Sequence, residues 1–247
     1  MRRATLSFVL ILSMTVPAFA QEWTEYQNVE YGFRVNFPGQ PRTTDITWTS
    51  EFGYPLPARV FTADRGAERY SVTVVDYGPI EAQGIARRKA CPPGAETCIG
   101  SDLSGPGHWK HDVRGALIFA TGKFLQRNAR LTHYLWNHQD LVEGHELQMT
   151  SNADESRTFV FIGMHEMKLY ILEGTVPKGA PEPALFQASA GWLDKDGNGI
   201  RYQMIYANQY FGLKELPLPQ RAGGGRGAGG GQGGRGGRGA GGAGNAQ

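Results

Sequence analysis

Five short runs in the first third of the chain alternate apolar and polar side chains: TEYQN at 24–28, FRVNF at 33–37, TDITW at 44–48, ARVFTA at 58–63 and RYSVTVVDY at 69–77. A period of two sets one face of a strand against a core and the other toward water. YG, PGQP and EFGYPLP between these runs are turn-forming, so this part of the chain reads as a meander. The period then changes. A short helix is predicted over 79–88 and a longer one over 111–127, where Val113, Ala116, Leu117, Ala120 and Phe124 share a stripe that Arg114, Lys123 and Arg127 avoid. Such a stripe requires a sheet to cover. Four more strands are predicted near 130–138, 143–151, 156–164 and 167–176, and TFVFIGM and KLYILEG in the last two are apolar on both faces, as central strands are. A closing helix is predicted over 181–193, with Pro181 to Pro183 in its first turn and Leu185, Phe186, Trp192 and Leu193 docked inward. No strand-helix-strand alternation is visible. The pattern predicts an α+β class, an antiparallel sheet of about seven or eight strands with two or three packed helices.

Both ends of the chain fall outside this pattern. Residues 1–20, MRRATLSFVLILSMTVPAFA, order a positive start at Arg2 and Arg3, an apolar run from Leu6 to Val16, and small residues at Ala18 and Ala20. A signal peptidase reads that order, so cleavage is expected between Ala20 and Gln21, with the product in the periplasm or outside the cell. The apolar run is shorter than the roughly 20 residues a spanning helix needs, and no later stretch reaches that length, so the chain is not expected to span a membrane. From Arg221 the sequence reads RAGGGRGAGGGQGGRGGRGAGGAGNAQ, with 15 of the 35 glycines, no acid and no aromatic residue. Such a composition buries no core and predicts a disordered tail over 221–247. Residues 21–220 suit one domain. They hold all 23 acids against 19 basic side chains, the 25 of the chain less two in the leader and four in the tail. The folded part is therefore net −4 and the tail +4, a division hidden by the whole-chain +2.

Candidate chemistry is sparse. Cys91 and Cys98 enclose PPGAET, which two prolines and a glycine bend back on itself. In an oxidising compartment they are expected to form a disulfide, which closes so short a loop that it contributes about 2–2.5 kcal/mol and pins only a local excursion. The rival, a redox or metal pair, would want C-x-x-C or doubled spacing. DKDGNGIRY at 194–202 sets Asp194, Asp196 and Asn198 ahead of Gly199, like the first half of an EF-type calcium loop, yet its twelfth position is Ile205 where a bidentate Glu is needed. Asp-Gly and Asn-Gly there reverse a backbone, and IRYQMIY after them has strand composition, so a turn leading into a strand is expected.

Six histidines remain. His108 and His111 stand three apart, and His133, His138, His145 and His165 lie in or beside predicted strands, where zinc could use them only if register brought them together. The sequence has no H-E-x-x-H, G-x-S-x-G, S-x-x-K or Walker-type phosphate loop, so no metal, cofactor or catalytic residue is expected. GGRGGRG in the tail resembles RNA-binding arginine-glycine repeats. Arg221, Arg226, Arg235 and Arg238 carry charge without interleaved aromatic rings, which suits salt-sensitive contact with an acidic polymer, and export argues against nucleic acid as that partner.

YGFRVNFPGQP at 31–41, entered by EWTEY and followed by a polar strand, resembles the opening of small exported bacterial proteins whose sheet-and-helix sandwich is like that of the photosystem subunit PsbP. KLYILEGTVPKGAPEPALFQASAGW at 168–192 is similar to the same proteins in its order of strand, proline-rich connection and closing helix. The resemblance spans residues 22–206 and implies a PsbP-like fold and a non-enzymatic assembly or accessory factor. It supplies no catalytic residue, and neither the cysteine pair nor the arginine tail belongs to it. The sequence thus points to an exported binding module of the bacterial envelope, its ligand an envelope protein or an acidic polymer. The alternatives are a metal-dependent envelope enzyme using the histidines and polyanion binding through the tail.

Overall fold

Strands that are apolar on both faces need cover on both sides, and that requirement organises the architecture. The structure is a computed structural model and describes residues 22–90 and 108–206. The cleavage site at Ala20 and Gln21, the Cys91–Cys98 pair and Arg221, Arg226, Arg235 and Arg238 lie outside the described residues. Strands β1 (Trp23–Asn28) and β2 (Phe33–Pro38) form a hairpin, and β3 (Arg42–Thr49), β4 (Pro55–Arg65) and β5 (Glu68–Asp76) a meander. Helices α1 (Ile80–Lys89) and α2 (His108–Leu125) follow, then a second meander of β6 (Ala129–Gln139), β7 (Val142–Ser151), β8 (Arg157–His165) and β9 (Lys168–Val176). Helix α3 (Ala184–Ala188) and the two-residue β10 (Gly191–Trp192) close the domain.

The main sheet has seven strands in the order β3-β4-β5-β9-β8-β7-β6. Every pair in it is antiparallel, and β5 against β9 is the seam that joins the two meanders. The doubly apolar β8 and β9 lie at or next to the centre, as their composition requires. β1, β2 and β10 form a separate three-stranded sheet. Period-two alternation is the same in either sheet, so the pattern along the chain does not separate them.

Alternation along each strand divides the interior into two cores. Leu169 and Ile171 of β9 face the α2 stripe of Val113, Ala116, Leu117, Ala120 and Phe124, while Tyr170 and Leu172 between them face Phe33, Val35 and Phe37 of β2. Each large side chain so buried contributes roughly 1.5–3 kcal/mol.

The structure corrects two expectations near the C-terminal end. Only Ala184–Ala188 of the helix predicted over 181–193 is helical. Ser189 Oγ donates to the Phe186 carbonyl at 2.9 Å and accepts from the Asn36 amide at 2.8 Å, and Gly191 and Trp192 then pair with Arg34 and Phe33 on the open edge of β2. That edge takes the backbone groups a longer helix would have used. Phe186, Trp192 and Leu193 are buried, the last two from extended chain, whereas Leu185, expected to dock inward, is exposed. The strand expected over 200–206 does not form either. Ile200 N bonds Trp192 O, and Tyr206 makes a single parallel bridge to Val142.

Helix α2 is fixed by a polar contact as well as by its stripe. Asp112 is fully buried and accepts hydrogen bonds from Ser50 Oγ, from Glu51 N at 3.1 Å and from Phe52 N at 3.3 Å in the β3–β4 turn. Burial raises its carboxyl pKa, and the three donors act against that rise. Asp112→Ala strands these donors and is expected to lower the unfolding free energy by about 3 kcal/mol in urea titrations, with Asp112→Asn, which keeps one acceptor oxygen, costing less. Equal stability of the three proteins would show that the carboxylate does not hold the helix.

Candidate functional site

The site begins with a register irregularity on the edge strand β6. Leu131 pairs with Met149 and His133 with Gln148, so Thr132 is an extra residue. A bulge of this kind shifts the alternation by one. Tyr134, Trp136 and His138 oppose Leu147, His145 and Glu143. Leu147 and Met149 belong to the core under α2, so Leu131, Tyr134, Trp136 and His138 all stand on the face toward that helix. Helix α2 packs on β8 and β7 and leaves the β6 row uncovered.

Arg114, Ile118, Thr121 and Leu125 recur at helical spacing on the side of α2 that meets β7, as the contact of Thr121 with His145 shows. A groove results between that wall and the β6 row, and it deepens into a cavity of about 430 Å³ bordered by Arg114, Ile118, Trp136, Glu143 and His145. Five of the eleven large apolar side chains exposed among the described residues stand on this wall or this row, Ile118, Leu125, Leu131, Tyr134 and Trp136, and Ile118 and Trp136 border the cavity itself. Single exposed apolar residues are ordinary, but such a concentration marks an interaction surface.

The polar groups in the groove are few and fixed. Thr121 Oγ1 lies 2.8 Å from His145 Nδ1, with Tyr134 Oη at 3.4 Å. Burial lowers the His145 pKa, and Glu143 opposes that shift, leaving the imidazole neutral at pH 7. Trp136 Nε1 donates to Glu143 Oε2 at 3.3 Å, which fixes the indole plane. Arg114 is exposed and forms no ion pair among the described residues. An apolar wall, an oriented indole and one guanidinium suit an apolar group that carries a negative charge.

The opposite face of β6 holds a second cavity of about 240 Å³ beside Asn137, Gln139, Glu146, Phe161 and Gln187. Asn137 Nδ2 donates to Glu146 Oε2 at 2.5 Å, and Gln139 Nε2 to Ala190 O at 3.0 Å. Gly144 and Gly163 oppose each other behind it and leave room for the Phe161 ring, since a Cβ would stand 2.6 Å from that ring on Gly144 and 2.7 Å on Gly163.

The structure scatters the other candidates. His111, His133 and His138 are exposed, and the His108 side chain lies outside the described residues. His165 is buried, its ring 5.0 Å from Trp192 and 5.1 Å from Tyr206, with Tyr202 Oη 2.5 Å from Nε2. No group of three or more His, Cys, Asp or Glu among the described residues is placed to hold a metal. Residues 194–199 form the expected turn. Asp194 Oδ1 accepts from Asp196 N at 2.9 Å and Asn198 N at 2.8 Å, Oδ2 accepts from Asn198 Nδ2 at 3.2 Å, and Gly197 takes φ +83°. These bonds hold the Asp194 pKa below the usual carboxylate range. Sequence reasoning missed the groove. The available signal was Ile118 and Leu125, apolar residues off the buried stripe of α2.

Against known proteins, the chain matches no family model and no curated protein. Its structure is similar to the solution structure of cyanobacterial PsbP (CyanoP) from Synechocystis sp. PCC 6803, with 13% identity, a TM-score of 0.34, and coverage of 68% of this chain and 87% of that chain. The likeness is one of fold.

Burial lowers the His165 pKa from 6.5 to about 4. Between these values the unfolded chain binds a proton that the folded chain excludes, so the stability associated with neutral His165 is complete above pH 6.5 and is lost as the pH falls toward 4. The loss at pH 4 is on the order of 3 kcal/mol. In denaturant titrations between pH 7 and pH 4, His165→Leu is expected to flatten the pH slope of stability by about that amount; an unchanged slope would mean that the folded protein admits the proton.

Proposed function

We propose that this chain is an exported, non-catalytic binding or accessory module of the bacterial envelope, with the groove between α2 and β6 as its working surface. One observation carries the reading. Ile118 and Trp136, 70% and 55% exposed, face each other across an open cavity of about 430 Å³ with Arg114 at its wall. Cover by a partner would return roughly 25 cal/mol for each Å² of apolar surface removed from water.

Export rests on the order of charge, apolar core and small residues over 1–20, and on a cysteine pair suited to an oxidising compartment. No helix among the described residues is long and apolar enough to cross a membrane. The non-catalytic reading is supported by how two imidazoles are used: buried His165 is packed among aromatic rings and tied to Tyr202, and half-buried His145 is held by Thr121.

The test is retention of polypeptides from envelope extract on the immobilised protein processed after Ala20. The double variant Ile118→Ser, Trp136→Ser is expected to lose the retained species while keeping its melting temperature, because both side chains are already largely in water. Equal retention by the variant would sink the groove as the working surface. Loss on deleting residues 221–247 instead would move the function to the arginine tail.

A further inference from the structure

The groove does not end at α2, because β6 is also an open sheet edge. Its turn to β7 has two residues, Asp140 and Leu141 at φ +45° and +63°, which closes the hairpin on the pair Gln139 and Val142. A two-residue turn makes its flanking pair hydrogen-bonded, and such pairs alternate along an antiparallel ladder. Asn137 and Leu135 therefore bond back to β7, while Tyr134, Trp136 and His138 direct their N–H and C=O groups outward. Asn137 Oδ1 accepts from His138 N at 2.8 Å, which leaves Tyr134 and Trp136 as the outward amides without a protein acceptor among the described residues.

The two edges of the sheet differ. β3 exposes a threonine-rich row, and Arg42 and Asp45 on it are tied to Asp64 and Arg59 of β4. Charge and polarity of that kind discourage pairing with another chain. β6 has no proline and no acid, and its exposed row is Leu131, Tyr134 and Trp136. Beyond the bulge the stretch His133–Gln139 runs unbroken, about 23 Å at 3.3 Å per residue.

The two cavities lie on opposite faces of this same stretch: Trp136 borders the larger, Asn137 and Gln139 the smaller. Side chains of a strand laid beside β6 would alternate between them. The geometry points to strand addition: an extended segment of another polypeptide pairs with His133–Gln139, sets apolar side chains into the α2 groove beside Trp136 and Ile118, turns polar ones toward Asn137 and Gln187, and pairs a carboxylate with Arg114. This inference rests on the binding-module reading and names the partner's chemistry. Charge complementarity supports the acid, since Arg114 on the wall forms no ion pair among the described residues and β6 carries Arg130 but no acid, while Glu143, the carboxylate at the cavity, already accepts from Trp136 Nε1.

The test uses the processed full chain and two libraries of seven-residue peptides, each peptide bearing one acid. One library spaces its apolar residues alternately, the other at helical intervals. Binders are expected from the alternating library alone. Their affinity should fall roughly tenfold on Arg114→Gln and be lost when the peptide bonds facing β6 are N-methylated. Hydrogen exchange should slow at the Tyr134 and Trp136 amides and stay unchanged at Leu135 and Asn137. Binders of helical spacing, full affinity after N-methylation, or no binders from either library would each overturn the proposal. A dimer that protects the Tyr134 and Trp136 amides without peptide would make a second copy the occupant and overturn it too. If peptides fail while retention from extract still depends on Ile118 and Trp136, strand addition falls and the binding-module reading stands.

Discussion

β9 is paired on both edges, with β5 and with β8, and it is apolar on both faces. Its backbone is satisfied within the sheet, so what its side chains require is cover above and below, and the rest of the fold supplies it. The helical layer of α1 and α2 covers one face and the small sheet of β1, β2 and β10 covers the other. A helix about 10 Å across spans roughly two strands spaced about 4.8 Å apart. Packed over β8 and β7, α2 cannot also cover β6. The groove is thus a geometric remainder of the way the core is closed, and Asp112, by tying α2 to the β3–β4 turn, fixes where that remainder falls.

At the far end of the sheet the chain uses uncommon turns. Asp140 and Leu141, and Glu166 and Met167, take positive φ without a glycine among them. Left-handed backbone at such residues costs roughly 1–2 kcal/mol each. Neighbouring bonds hold both turns: Tyr206 N donates to Leu141 O at 2.8 Å and Tyr77 N to Met167 O at 2.8 Å. The aromatic group of His165, Tyr170, Trp192, Tyr202 and Tyr206 packs beside them and ties the segment after β10 to the sheet. The same packing keeps water from the His165 imidazole and so depresses its basicity.

What could be read from the sequence was whatever depends on local periodicity. The stripe of Val113, Ala116, Leu117, Ala120 and Phe124 is buried as its spacing implies, and the doubly apolar β8 and β9 occupy the middle of the sheet. The residues that escaped depend on distant partners. The end of α3 is set by Ser189 meeting Asn36, a contact 153 residues apart in sequence, and by the open edge of β2. His145 and His165 look alike in sequence, yet register places one at a cavity mouth and buries the other. The groove itself hangs on Thr132, an inserted residue that no periodicity announces. Asp194 was legible in the opposite sense: its turn chemistry is local, and the turn formed.

The seam between β5 and β9 has a kinetic side. Each meander is built from neighbouring hairpins, but joining Asp76 to Lys168 closes a loop of about 90 residues, at an entropic cost near 4 kcal/mol. A chain emerging from its N-terminus completes β1 through β5 long before β9 is available, and during that interval the edge of β5, with Tyr70, Val72 and Val74 along it, has no neighbour. Nascent molecules of this topology share a vulnerability to sticking to one another, and shielding that edge until the second meander arrives is the task any assisting chaperone would have.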